Sequence, residues 1–160
     1  MEILDLYDKN GNLLNKTVER GCKNLGDNEF IKVVTVWIEC KGKYLIQKTA
    51  KEKGGEYAVT GGHVQSGKNS LQQACLELKE ELGLTVTAKQ LKFLGNVYAN
   101  HVIFDVYWFS NNQLDKTNFV LQTEEVAAVV WFDGDEIKQL ISQGKVRPST
   151  IVQFEQLIQR

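Results

Sequence analysis

Residues 61–84 read GGHVQSGKNSLQQACLELKEELGL, a glycine pair and a polar loop followed by a run that ends in three closely spaced glutamates. The run has helical periodicity from about Asn69 to Leu82. Asn69 or Ser70 can serve as the N-cap, and Gly83 is a typical stop. One face of this helix is apolar and is predicted to pack on a sheet; it carries Leu71, Ala74, Cys75, Leu78 and Leu82.

The glutamates Glu77, Glu80 and Glu81 fall together on a second face of the helix. Residues three and four apart are neighbours on a helix surface, with Cβ atoms about 5 to 6 Å apart, so these carboxylates repel one another. They also lie in the last turn, where the partial negative charge of the helix end disfavours acids. A solvated acidic face is the ordinary explanation for such a run, but the loop before it favours a ligand site.

The glycines of the loop TGGHVQSGK let the backbone approach a ligand closely and leave carbonyl oxygens free to coordinate. One loop carbonyl with two or three carboxylates makes an oxygen-rich site suited to hard Mg²⁺ or Mn²⁺. Such a metal would relieve the repulsion between the acids and would bridge phosphate oxygens. The pattern therefore predicts a metal-dependent site that processes phosphates.

The same stretch resembles the Nudix box, whose pattern is G, five residues, E, seven residues, then R-E-U-x-E-E-x-G-U, with U a bulky aliphatic residue. Gly62 stands at the first glycine, residues 77–81 match E-U-x-E-E, and residues 82–84 match x-G-U. Lys68 stands where the family has its first glutamate, and Leu76 where it has its arginine. In the family that pair helps to hold the loop on the helix and to orient the acids; here both charges are absent together.

The resemblance implies a ligand set for Mg²⁺ or Mn²⁺ made of one carbonyl oxygen and three carboxylates, from Gly62, Glu77, Glu80 and Glu81. It implies a Mg²⁺-dependent hydrolase that cleaves a diphosphate linkage in a nucleoside diphosphate derivative or similar small molecule, with these glutamates as the catalytic residues. Many members recruit a further glutamate before a late strand, where this chain has Glu124 and Glu125. An exposed acid pair at the start of a strand is the alternative for those two.

The departures at Lys68 and Leu76 raise a second hypothesis, a non-catalytic module that binds a nucleotide or another phosphorylated ligand. Loss of residues that orient metal ligands costs about 10- to 100-fold in metal affinity or activity. The stem of Lys68 can cover Leu76 while its ammonium stays in water, so that an apolar contact replaces the ion pair. Lys68 pointing inward at a substrate phosphate is the alternative.

The layout around the box also resembles the branch related to isopentenyl-diphosphate isomerase. That isomerase has a catalytic cysteine directly before the Gly-His of its loop, where this chain has Gly61 before Gly62-His63. Cys75 cannot substitute because it projects onto the core face of the helix, and the isomerase needs more histidines than His63 and His101. We therefore expect kinship of architecture rather than of reaction. His63 matches a metal-binding histidine of that isomerase, although a plain loop histidine is the commoner case.

Outward from the box, the pattern predicts an α/β (α+β) fold, a Nudix-like α/β/α sandwich with a mixed central sheet and an N-terminal β-hairpin leader. The leader turns at Asn10-Gly11-Asn12. Two helices are predicted, at 134–142 and from Ser149 to the C-terminus. Strands are predicted at 30–40, 43–49, 57–59, 91–99, 101–110 and 125–132. The last strand is apolar enough to be predicted as central in the sheet.

The composition indicates one globular domain over residues 1–160, with the hairpin leader and its loop at 1–29 and the core at 30–160. Hydrophobic residues make up 42% and charged residues 24% of the chain, as in soluble proteins. The formal net charge of −1 gives no basic field to attract nucleic acid. Three cysteines, Cys22, Cys40 and Cys75, lack the spacing of a zinc site or a disulfide framework.

The first residues, MEILDLYDKNGN, are acidic where a signal peptide is basic, and no apolar run approaches the roughly 20 residues that span a bilayer. A cytoplasmic protein with no membrane partner is therefore expected. Its expected partner is a small-molecule diphosphate substrate, and the sequence leaves a homodimer open.

Weaker candidates lie outside the box. Tyr57 and Trp37 could stack on a base, although an aromatic residue in or near a strand is more often part of the core. Lys48, Lys51 and Lys53 flank the loop before the box and could meet phosphates, although a solvated lysine loop is the commoner arrangement.

Overall fold

A computed structural model describes residues 1–159 as a mixed α/β structure with nine strands and three α-helices in that range. The strands are β1 (Ile3–Tyr7), β2 (Leu13–Glu19), β3 (Ile31–Cys40), β4 (Lys43–Thr49), β5 (Tyr57–Ala58), β6 (Thr60–His63), β7 (Lys92–Ala99), β8 (Val102–Ser110) and β9 (Val126–Phe132). The helices are α1 (Ser70–Leu82), α2 (Gly134–Ser142) and α3 (Pro148–Gln153), the last continuing as a π-helical turn over Phe154–Ile158. The predicted class and most predicted elements are confirmed, with ends shifted by one or two residues, but β6 was not predicted because its residues were assigned to the loop before α1.

The central sheet is mixed and divides into two branches. Its main path runs β5-β4-β3-β8-β7, in which β3 and β8 are parallel and the other neighbours antiparallel. β3 and β4 pair only beside their connecting turn, at Glu39↔Tyr44 and Cys40↔Lys43. Beyond that point β3 pairs with β6, whereas β4 pairs with β9 and β5. The two strands therefore separate, and a cleft opens between their branches.

Helices cover both faces of this sheet, as predicted for an α/β/α sandwich. Alternate residues of β3 face opposite sides, and both sides are buried, which explains its nearly continuous apolar run. Val34, Val36 and Ile38 pack with the apolar face of α1. Trp37 packs with Phe154 and with residues of α2 on the other side.

The position of β9 differs from the prediction. Among the strands of residues 1–159 it pairs with β4 alone, so it is an edge strand and not a central one. Val126 is fully buried, but Ala127, Ala128 and Val130 are exposed. The prediction was wrong because a short apolar run shows that a strand packs on a core and does not show how many neighbours it has.

The N-terminal hairpin is confirmed as a two-stranded antiparallel sheet of β1 and β2, separate from the central sheet. It lies on the box loop: Asp5 accepts hydrogen bonds from Ser66 Oγ at 2.7 Å and from the Gly67 amide at 3.0 Å. The Ser66 amide also donates to the Ile3 carbonyl at 2.8 Å. The hairpin is thus fixed to the same loop that the box helix follows.

Helix α1 begins and ends as the sequence predicts. Asn69 is the N-cap, and it exchanges reciprocal hydrogen bonds with Gln72 in a capping box. Gly83 ends the helix in the left-handed conformation, with φ of 67°. Ala74, Leu78 and Leu82 are buried, whereas Cys75 is only half-buried. No helix among residues 1–159 combines the length and the apolarity that a membrane crossing requires.

Candidate active site

The three box glutamates lie around one small cavity of about 160 Å³, here called the acidic cavity. Its walls carry Glu2, Glu77, Glu80, Glu81 and Glu125, together with Arg20 and the loop residues Gly61, Gly62 and His63. Burial differs along the helix: Glu81 is 8% exposed, Glu77 is half-buried and Glu80 is exposed. The three glutamates therefore converge as their spacing predicts. Two further acids join them, Glu2 just before β1 and Glu125 just before β9.

Gly62 leaves room for one of these carboxylates. A Cβ atom at this position would stand closer than 3.0 Å to all three atoms of the Glu77 carboxylate. Only glycine lets that acid lie against the loop backbone. The box glycine and the first glutamate of 77–81 are therefore one packed unit.

Gly61 is enclosed as tightly. A Cβ atom there would overlap the Val34 carbonyl and the methyl group of Thr35 on the paired strand β3. A cysteine at this position, which the isomerase chemistry requires, has no room unless the backbone shifts. The structure thus leaves no space at position 61 for the catalytic cysteine of that isomerase.

Two of the acids are strongly perturbed. Burial, together with the negative charge of Glu81, raises the pKa of Glu77 to about 8. Burial also raises the pKa of Glu81 to about 7, against the hydrogen bond from Gln47 and with the charge of Glu125 adding to the rise. Both acids are therefore protonated more readily than an exposed glutamate, and a divalent cation would compete with those protons.

The donor set fits a hard divalent cation, although the ligands do not yet stand in a coordination shell. Within residues 1–159, no three His, Cys, Asp or Glu side chains are close enough together to hold a metal. Glutamines hold two of the acids instead: Gln73 Nε2 donates to Glu77 and Gln47 Nε2 donates to Glu81, each at 2.9 Å. The carboxylates would have to move closer together for a metal to bind.

Gln73 hydrogen-bonds both the box loop and the first of the three glutamates. Its side chain is 1% exposed. Its Oε1 accepts from the Gln65 amide in the loop at 3.1 Å, while its Nε2 holds Glu77 on the helix. Sequence reasoning missed it because a glutamine in a helix is usually a surface residue. Its spacing of four residues from Glu77 was the available signal.

Lys68 does not point into the site. Its ammonium donates to Gln65 Oε1 at 3.0 Å within the loop, and neither the acidic cavity nor the larger cleft has Lys68 in its lining. The inward orientation toward a substrate phosphate is therefore wrong for this structure. Lys68 instead reinforces the loop that Gln73 ties to the helix.

The further acid before the late strand is Glu125 and not Glu124. Glu125 lines both the acidic cavity and the cleft, and its charge contributes to the raised pKa of Glu81. Lys53 forms an ion pair with it at 3.4 Å. Glu124 is exposed and lines neither space. Of these two adjacent acids, Glu125 therefore reaches the site and Glu124 does not.

A larger cleft of about 430 Å³ adjoins the acidic cavity and lies between the two branches of the sheet. Its lining combines apolar side chains, hydroxyls and cations, among them Val33, Thr35, Thr49, Val59, Phe104, Arg147 and Thr150. Lys53 and Arg147 are cations of this cleft, and each pairs with an acid, Glu125 and Glu56 respectively.

The aromatic candidates for base stacking belong to the core. Trp37 is fully buried, and its indole N–H donates to Gln153 Oε1 at 3.1 Å. Tyr57 packs edge-on against Phe132, with the ammonium of Lys48 over its ring. Neither Trp37 nor Tyr57 lines the cleft, as the commoner role of strand aromatics predicts.

Comparison with known proteins agrees with this geometry. An uncharacterized Nudix hydrolase of Listeria innocua is 38% identical over 155 residues, a match that covers 92% of this chain and 89% of the relative. A second one, from Listeria monocytogenes, is 36% identical over the same shares of both chains. The crystal structure of DR0079 from Deinococcus radiodurans matches 99% of this chain and all of its own, with a TM-score of 0.82 at 18% identity.

A structure with a more explicit name shares only the fold. It is a bifunctional NMN adenylyltransferase/ADP ribose pyrophosphatase from Francisella tularensis, complexed with AMP and a manganese ion, and it is 17% identical with a TM-score of 0.60. The match covers 79% of this chain and 41% of that one. The NUDIX domain family itself matches residues 30–153, which include the box, the split sheet and Glu125. The chain therefore belongs to the Nudix hydrolase family.

Proposed function

We propose that this protein is a Mg²⁺- or Mn²⁺-dependent pyrophosphohydrolase that cleaves a diphosphate linkage in a nucleoside diphosphate derivative or a related small molecule. One observation carries the proposal: Glu77, Glu80 and Glu81 surround a cavity that opens into a cleft of about 430 Å³. A diphosphate with its phosphates at the acids and its organic group in the cleft would occupy both spaces.

The acids of α1 and the backbone of the box loop form the proposed metal site. Glu77, Glu80 and Glu81, with the carbonyl of Gly62, would hold the cation, which would neutralise the carboxylates and polarise the phosphoryl group. Gln73, one helical turn before Glu77, donates a hydrogen bond to that acid, and Gln47 of β4 donates one to Glu81. These hydrogen bonds orient the two acids before the cation binds.

Glu125 is the proposed general base. It lines both the acidic cavity and the cleft, so it can accept the proton of a water that attacks one phosphorus. Its ion pair with Lys53 at 3.4 Å holds the carboxylate in that position while the group is partly open to solvent. The chain thus supplies ligands from the helix and a base from the start of β9.

A substrate panel tests the proposal. Purified protein would be incubated with nucleoside diphosphate derivatives, ADP-ribose among them, with Mg²⁺ or Mn²⁺ and with EDTA as the control. We expect metal-dependent release of phosphomonoesters from at least one compound. Absence of turnover with every compound would contradict the proposal, and thermal stabilisation by a compound without turnover would favour the binding-module hypothesis. No isomerisation of isopentenyl diphosphate is expected in a parallel incubation because position 61 is a glycine.

A further inference from the structure

The N-terminal hairpin brings a cation into the site described above. Arg20 follows β2, and its backbone amide donates to the Glu2 carbonyl at 3.0 Å. The same end of the hairpin is held on the box loop, because Asp5 accepts from Ser66 and Gly67 and the Ser66 amide donates to the Ile3 carbonyl. The position of Arg20 relative to the box is therefore set by the fold and not by a free terminus.

Arg20 stands where the two spaces meet. The residues that line both the acidic cavity and the cleft are Arg20, Gly61, Gly62, His63, Glu81 and Glu125. Of these described residues, Arg20 alone carries a permanent positive charge. A diphosphate whose phosphates reach the box glutamates and whose organic group enters the cleft must pass this junction, so its phosphoryl oxygens would lie beside Arg20.

The Arg20 guanidinium is oriented and has N–H donors available for a phosphate. Its Nη1 donates to Glu2 Oε2 at 2.9 Å, and this is its one side-chain partner in the described chain. About half of the side chain, 47%, is exposed. Arginine has five N–H donors in a planar fork that matches two phosphate oxygens. The pair with Glu2 therefore orients the group and leaves donors free for a phosphate.

The other cations of the cleft are placed differently. Lys53 and Arg147 line the cleft but not the acidic cavity. Arg147 bonds Glu56 through Nε and the Lys53 carbonyl through Nη2, so two of its donor groups are already used. The geometry thus distinguishes Arg20 as the cation at the junction.

We propose that Arg20 is a substrate-binding residue whose guanidinium holds a phosphoryl oxygen of the diphosphate, with Glu2 as the residue that positions it. The N-terminal hairpin is then part of the active site. This inference rests on the proposed function for the identity of the ligand, a diphosphate.

Two measurements on matched variants test it. Arg20→Ala and Arg20→Gln would be compared with Lys16→Ala, because Lys16 forms an ion pair with Glu29 outside both spaces. Binding of inorganic pyrophosphate in Mg²⁺ would be measured by calorimetry, and KM and kcat with the best panel substrate. We expect both Arg20 variants to bind pyrophosphate at least about 10-fold more weakly, as for loss of a charged hydrogen bond, with a matching rise in KM. Lys16→Ala should behave as wild type.

The outcomes separate this inference from the proposed function. If the wild-type protein hydrolyses a diphosphate and folded Arg20 variants match it in KM and in pyrophosphate affinity, the role of Arg20 is wrong and the hydrolase stands. If the wild type has no turnover but binds pyrophosphate in a manner that depends on Arg20, the hydrolase is wrong and the role of Arg20 stands. Equal weakening by Lys16→Ala would also contradict a specific role for Arg20.

Discussion

Gln73 shows how a single residue can compensate for a departure from a family pattern. The box lacks its glutamate and its arginine at Lys68 and Leu76, yet the loop is still tied to the helix and Glu77 is still oriented. A neutral amide does this while fully buried because it donates to an acid and accepts from a backbone amide at once. No charge is left unpaired by the substitution.

Replacement of Gln73 by alanine should therefore weaken metal binding. The variant loses both the hydrogen bond to Glu77 and the tie to the Gln65 amide, and we expect a loss of about 10- to 100-fold in Mn²⁺ affinity, measured by calorimetry. Gln72→Ala is the matched control. It removes one of the two hydrogen bonds of the α1 capping box, from the Asn69 amide to Gln72 Oε1, and should cost about 1 kcal/mol in the free energy of unfolding while leaving the metal affinity unchanged. Equal affinities in the two variants would refute the role of Gln73.

Glu125 and Glu124 provide a second matched pair. Glu125→Gln should lower kcat by a factor on the order of 10² to 10⁴, because a positioned general base contributes that much. Glu124→Gln should leave kcat unchanged, since that side chain lies in solvent outside both spaces. The measurement is steady-state turnover with a panel substrate in saturating Mg²⁺. An equal loss in both variants, or in neither, would remove Glu125 from the mechanism.

The sequence predicts the site residues that lie close together in the chain, but not those that come from distant positions. Glu77, Glu80 and Glu81 could be predicted because helical spacing alone brings them together. Glu2 and Arg20 could not, because they reach the cavity from a separate hairpin about sixty positions away and no local period marks them. The choice between Glu124 and Glu125 depends on the register of β9 against β4, which adjacent acids do not specify.

At the scale of elements, α1 carries buried acids near its C-terminal end, which is unfavourable for the metal-free fold. The folded-state pKa of Glu77 is about 8 and that of Glu81 about 7, both above the ordinary value of 4.5. Between the ordinary and the raised values the folded protein binds more protons than the unfolded chain, so stability falls as pH rises through that window. The contribution is fully present below pH 4.5 and is lost above about 8.

The free energy of unfolding of the metal-free protein in EDTA should therefore fall between about pH 5 and about pH 8.5, because Glu77 and Glu81 lose their protons over this range. Glu77→Gln should show a smaller loss over the same range, because its amide does not titrate. Urea denaturation at both pH values measures the free energies of unfolding, and the difference between the two proteins isolates Glu77 from groups such as His63. A variant with the same pH slope as wild type would show that Glu77 is not the perturbed acid. Mg²⁺ should restore stability to the wild type at the higher pH.

For the strands, the hydrophobic pattern predicts burial but does not predict strand order. β3 is read correctly from its continuous apolar run because both of its faces meet helices. β9 has a similar run but lies at an edge, since its pairing is decided by the separation of β3 from β4. Hydrophobic pattern reports burial of a face, whereas strand order depends on contacts between residues far apart in the chain.

At the scale of the whole molecule, the site exists because the sheet divides. β3 pairs with β6, which carries Gly61 and Gly62, and β4 pairs with β9, which Glu125 precedes, so each branch brings residues to the cleft between them. The N-terminal hairpin then closes the acidic side with Glu2 and Arg20. The class and most elements follow from the sequence; the split and the hairpin docking do not, because both rest on long-range contacts.

The most direct test of the account is the Mg²⁺ dependence of diphosphate cleavage by wild type and by Glu81→Gln, the most buried acid of the box. We predict that wild-type protein freed of metal has no turnover, that Mg²⁺ or Mn²⁺ restores it, and that Glu81→Gln lowers kcat by a factor of about 10² or more while remaining folded. Wild-type turnover that persists in EDTA, or a Glu81→Gln variant as active as wild type, would contradict a metal site built on the glutamates of α1.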